Sequence, residues 1–219
     1  MKRNSFYLAI AIIFLLGILF TAVWFFKPDF LSSKSNQASD KSYEEITDES
    51  YAVYSVLLSQ ITSSPKNGEK VTLFVINENT GFDRKSEIAE KEKLPYIALN
   101  VPAEFKTSLK DYKVKNKESE RLKRLFDLKQ DYILINRADF QAIFKGDDLE
   151  KNWDSFYQKY PHSAGFITFS KVGFDAEKKH AIVYRELYCG SLCAEATYFL
   201  LTKESDGWKV TEEKPIGAA

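Results

Sequence analysis

The stretch from Trp153 to Trp208 constrains this chain more than any other. Leu149, Trp153, Phe156, Tyr157 and Tyr160 fall at i, i+4, i+7, i+8 and i+11. That spacing predicts a helix from about Asp148 with one packed face, ended by Pro161. Beyond it come four β-rich runs, Phe166–Phe174, Ala181–Tyr188, Ala196–Thr202 and Trp208–Thr211, separated by short polar turns. Runs so closely spaced predict an antiparallel meander. Gly173 is expected to mark a bulge or a close backbone approach. Gly190-Ser191-Leu192 forms a bend between Cys189 and Cys193.

Upstream, Val53, Tyr54, Leu57, Leu58 and Ile61 share one helical face, preceded by a capping-box pattern at Ser42-x-x-Glu45. Val71–Ile76 and Tyr132–Ile135 read as short buried strands, and Ala103–Tyr112 and Ala138–Phe144 as short helices. Asn77–Ser86 is a loop, Glu87–Lys93 a short charged helix and Tyr96–Val101 an extended piece. The run KDYKVKNKESERLKR, Lys110 to Arg124, mixes both signs of charge. As a basic patch it would attract phosphate or anionic lipid. Asp111, Glu118 and Glu120 dilute that field, so the simpler reading is a solvated helix face with Leu122, Leu125 and Phe126 on its apolar side. Helices that cover one face of a meander make an α+β domain, spanning residues 43–219.

The N-terminus reads differently. Phe6 to Phe26 are 21 residues without a charge, long enough to reach about 30 Å as a helix. Lys2 and Arg3 precede the run and Trp24, Phe25 and Phe26 end it, as suits an uncleaved membrane anchor better than a shorter signal peptide. Residues 1–5 are then cytoplasmic, 6–26 transmembrane, 27–42 a flexible linker, and the domain lies across the membrane. The expected partners are the membrane, through residues 6–26, and an envelope protein. Lys plus Arg and Asp plus Glu both number 31, leaving no net field to draw in nucleic acid.

Three chemistries can be written from the residues. Cys189 and Cys193 can close a disulfide in an oxidising compartment, stay as free buried thiols, or serve as redox thiols, although redox pairs usually take C-x-x-C spacing. His162, Ser163, Ser170 and His180, with Glu186 or Glu195, could supply a hydrolase, but no G-x-S-x-G elbow is present. Glu186 and Glu195 sit in expected adjacent strands and would raise a pKa if buried together. No phosphate-binding glycine loop occurs, His162 and His180 lack ligand spacing to the cysteines, and no cofactor or metal is expected.

Trp153-x-x-Phe-Tyr157, Tyr160-Pro-x-Ser163, Ser170-x-Val-Gly-Phe174, Cys189-Gly-x-Leu-Cys193 and Gly207-Trp208, in that order, resemble a family of uncharacterised bacterial exported or membrane-anchored proteins. The resemblance covers the last third well and the rest loosely. That family often carries glycine after the second cysteine, where this chain has Ala194. It implies an extracytoplasmic domain on a bacterial inner or plasma membrane and no catalytic residue. The leading expectation is a membrane-anchored binding or envelope-interaction domain; the alternatives are the hydrolase and the thiol-redox protein.

Overall fold

The computed structural model describes residues 46–64, 66–81 and 99–218. The expectations for residues 1–42, the Ser42–Glu45 capping box, the Glu87–Lys93 helix and most of Tyr96–Val101 lie outside them. Among the described residues no helix is long and apolar enough to cross a membrane.

The elements are α1 (Asp48–Ser59), β1 (Leu73–Asn77), a 3-10 turn (Ala103–Phe105) leading into α2 (Lys106–Lys115), β2 (Asp131–Ile135), α3 (Arg137–Ile143), α4 (Leu149–Lys159), β3 (Ser163–Phe169), β4 (Gly173–Phe174), β5 (His180–Gly190), β6 (Cys193–Glu204) and β7 (Gly207–Ala218). Caps set several of these boundaries. Asn136 accepts from the Asp139 amide at 2.8 Å to start α3, and Asp148 accepts from the Lys151 amide at 3.2 Å to start α4. In α1, Asp48 and Glu49 stand in the first turn, where the helix dipole favours acid.

The fold is α+β, around one sheet ordered β2-β1-β3-β5-β6-β7, with β4 pairing β5 beyond the end of β3. The C-terminal strands are antiparallel, as expected. The upstream runs correct that picture. β1 lies parallel to both β2 and β3, so the sheet is mixed. Parallel neighbours need crossover connections; here one runs through α2 and the other through α3 and α4, and no local pattern announces them.

Helices cover both faces, not one. On the first face Tyr54, Leu57 and Leu58 of α1 pack on Phe74, Ile167, Phe169, Val183, Phe199 and Leu201, with Trp208 at the margin. On the second face two separate clusters form. Phe105 and Tyr112, from the 3-10 turn and α2, cover Ile182, Tyr184, Tyr198 and Leu200. Trp153, Phe156 and Tyr160 of α4, with Phe140 and Phe144 beside them, cover Val75, Ile135 and Phe166. Among the described residues no helix lies above the strip of sheet between these clusters.

Three smaller expectations change. The run Phe166–Phe174 divides into β3 and β4 at Ser170-Lys171-Val172. Residues 117–128 are not helical; Leu122 and Phe126 are buried, whereas Leu125 is half exposed. β7 runs on to Ala218 through Glu212-Glu213-Lys214-Pro215, charged residues and a proline that suit a sheet edge.

Candidate functional site

The uncovered strip is the floor of a groove of about 890 Å³ between α2 and α3–α4. Phe140, Phe144, Trp153 and Phe166 form its apolar wall. Phe140 stacks on Phe166 at 4.1 Å and on Phe144 at 4.5 Å, and Trp153 meets Phe144 edge-on at 5.0 Å. Such contacts fix the ring positions and leave one broad apolar surface. Polar groups meet the groove at the carboxyl ends of the parallel strands: Asn77 ends β1, Arg137 follows β2 and Ser170 follows β3. Sheets with parallel strands characteristically carry ligands there. Asn116, past the end of α2, joins them; its amide donates to the Lys171 carbonyl and its Oδ1 accepts from the Lys171 amide.

Gly190 and Ser191 close the far end, in the turn between β5 and β6. Cys189 and Cys193 are disulfide-bonded across this turn, with Cα atoms 5.0 Å apart. In the chain-entropy view so small a loop gives about 2 kcal/mol. The Tyr157 hydroxyl donates to the Cys189 carbonyl at 2.9 Å, and burial pushes the Tyr157 phenol up to about 12. Helix α4 is thereby tied to the bonded turn.

The other sequence candidates do not converge. In the β5–β6 register Glu186 faces Ala196 and Leu187 faces Glu195. An offset of one residue puts the two carboxylates on opposite faces of the sheet, so the expected pair does not form. Glu195 is exposed, 3.6 Å from the Arg185 guanidinium. His162 is exposed at the α4–β3 turn, with φ of 56° and Glu69 at 3.6 Å. Ser163 beside it is buried, and its hydroxyl finds no partner among the described residues. The Ser170 hydroxyl is committed to backbone, accepting from the Tyr184 amide at 2.8 Å and donating to the Lys171 carbonyl at 3.1 Å. His180 has its Nδ1 2.7 Å from Asp175 and its ring edge-on to Phe105. Burial works against the Asp175 carboxylate, but hydrogen bonds from His180 and the Lys179 amide hold its pKa below the ordinary value. Each histidine has an acid for a partner, and the Ser170 hydroxyl is bound to backbone.

Glu186 itself stands on the groove side of the sheet, between two tyrosines. Burial raises its pKa, against the opposing pull of hydrogen bonds from the Tyr184 and Tyr188 hydroxyls, the first at 2.9 Å. A carboxyl group with a raised native pKa stabilises the fold when protonated and costs stability as pH rises through that pKa. Glu186→Gln is therefore expected to melt higher than the parent at pH 7 and above. The gap should close as pH falls below the ordinary carboxylate range, and melts across pH check it. A gap that widens on acidification would reverse the sign.

No sequence pattern singles out Asn77, Asn116 or Arg137, because they come from three elements with no shared motif. Buried Arg185 carries no sequence signal either: it donates to the Leu57 carbonyl at 3.3 Å and lies 4.7 Å from the Phe199 ring. Among the described residues no group of three or more His, Cys, Asp or Glu is placed to hold a metal. Comparison with protein-family models, curated proteins and solved structures finds no match to this chain.

Proposed function

We propose that this is a binding domain, held on the outer side of a bacterial membrane by residues 6–26, and that its ligand enters the groove between α2 and α3–α4. The groove carries the reading: an aromatic wall large enough for a small molecule or a short segment of an envelope partner, with a few polar groups at one rim. The ligand that fits has an apolar, largely planar body and an end rich in acceptors or negative charge, directed at Asn77 and Arg137. The anchor rests on the length and flanks of the Phe6–Phe26 run.

The dye 8-anilinonaphthalene-1-sulfonate has that character. Titration into the protein is expected to give saturable fluorescence with one site. Gln141→Trp, from an exposed position of α3 that lines the groove, is expected to weaken binding about tenfold or more by filling the space, a loss of about 1.4 kcal/mol. Its own stability should stay within about 0.5 kcal/mol of the parent, as for other surface changes. Unchanged dye affinity in a folded Gln141→Trp protein would place the site elsewhere.

A further inference from the structure

Helix α2 has two contrasting sides. Its inner side is buried through Ser108 and Tyr112. On its outer side Lys106, Lys110 and Lys113, with Lys117 just beyond the helix end, fall at i, i+4, i+7 and i+11, and all four are exposed. They form a stripe about 16 Å long. Val114 is 58 % exposed beside it. No side-chain ion pair or hydrogen bond joins any of the four lysines to another described residue.

The acids that dilute this charge in the sequence are used elsewhere. Asp111 accepts from the Phe174 amide at 2.8 Å and pairs with Lys115 at 2.9 Å. Glu120 accepts from the Ile46 amide at 2.9 Å and lies 3.6 Å from Lys171. Among the described residues Glu104 and Glu118, both exposed, flank the stripe, one at each end. Among the described residues, the charge that the middle of α2 presents to solvent is therefore positive.

The point where the chain enters the domain lies on the same side. Ile46, the first described residue, shares a cleft of about 410 Å³ with Lys110, Asp111, Val114 and Lys115. Nineteen residues, 27–45, separate it from the apolar Phe6–Phe26 run.

We infer that the outer face of α2 docks on a layer of anionic lipid headgroups, with the lysines at the phosphates and Val114 at the interface. The inference rests on residues 6–26 anchoring the chain. Anionic surfaces attract near-surface lysines strongly enough for roughly a fivefold gain per residue at low salt. Docking would hold α2, and the groove rim at Lys117, against the bilayer.

The test uses the full chain with vesicles of phosphatidylcholine, alone or with phosphatidylglycerol. Flotation with the neutral vesicles reports the anchor. Docking is read from the rate at which an amine reagent labels each lysine. Phosphatidylglycerol is expected to slow labelling of Lys106, Lys110, Lys113 and Lys117 severalfold, and to leave Lys145, exposed beside α3, unchanged. High salt should restore the rates, and the fourfold Lys→Glu variant should float equally well on neutral vesicles. Equal labelling on both vesicle types would overturn docking even if the anchor holds. If the chain does not float on neutral vesicles the anchor is wrong; docking then survives only if phosphatidylglycerol vesicles still recruit it through these lysines. Slowed labelling by heparin or DNA but not by phosphatidylglycerol would overturn the lipid assignment.

Discussion

Gly173→Ala is expected to cost this domain about 3 kcal/mol and to loosen α2 from the sheet. A Cβ at that position would lie 2.4 Å from the Ser108 carbonyl oxygen and 2.4 Å from the Tyr112 amide nitrogen. Both are backbone atoms of α2, so no side-chain rotation relieves the clash; the helix must move away from β4. That motion would draw Tyr112 out of the cluster with Ile182, Tyr184, Tyr198 and Leu200 and break the bond from the Phe174 amide to Asp111. Urea unfolding measures the loss, and amide exchange in α2 locates it. Gly146→Ala is the control, since its nearest neighbour there is the Asn152 side chain at 3.4 Å; it should cost under about 1 kcal/mol. Equal midpoints for the two variants would mean that α2 does not sit this close to β4.

Phe156→Ala is expected to cost about 3–5 kcal/mol. The ring is fully buried in α4, and its centroid lies within 5.4 Å of those of Trp153, Tyr157 and Tyr160. Those rings are braced by further contacts and cannot collapse to fill the space, which puts the cost at the upper end for such deletions. For a domain of this size the melting temperature should fall by about 10 °C. Because Trp153 also lines the groove, dye binding should weaken with it. A drop of only one or two degrees would mean that α4 packs more loosely than described.

Much of the fold is legible in the sequence wherever one period dominates. The aromatic residues of α4 repeat at helical spacing, and the apolar cores of β3, β5 and β6 stand out between polar turns. What is hidden is long-range. The Val71–Ile76 and Tyr132–Ile135 runs read as strands, but nothing local says that they join β3 in parallel, because that pairing depends on crossovers of many residues. The length of β7 is hidden because an edge strand is written in charges and proline. For the site, the pairing of Cys189 with Cys193 can be anticipated from proximity alone. The separation of Glu186 from Glu195 cannot, since one residue of register decides which face each takes. The groove is invisible for a further reason: it is the space left where α2 and α4 do not meet, and an absence of contact has no residue signature.

The two described tryptophans stand on opposite faces of the sheet. Trp153 lines the groove, and Trp208 lies under α1 with its indole N–H donating to Glu49. Nuclear magnetic resonance of the indole N–H signals during titration with 8-anilinonaphthalene-1-sulfonate therefore tests directly whether the uncovered floor is a binding site. The Trp153 signal is predicted to shift progressively to saturation while the Trp208 signal stays in place. A Trp153 signal unmoved by saturating dye, or a shift confined to Trp208, would contradict the groove as the ligand site.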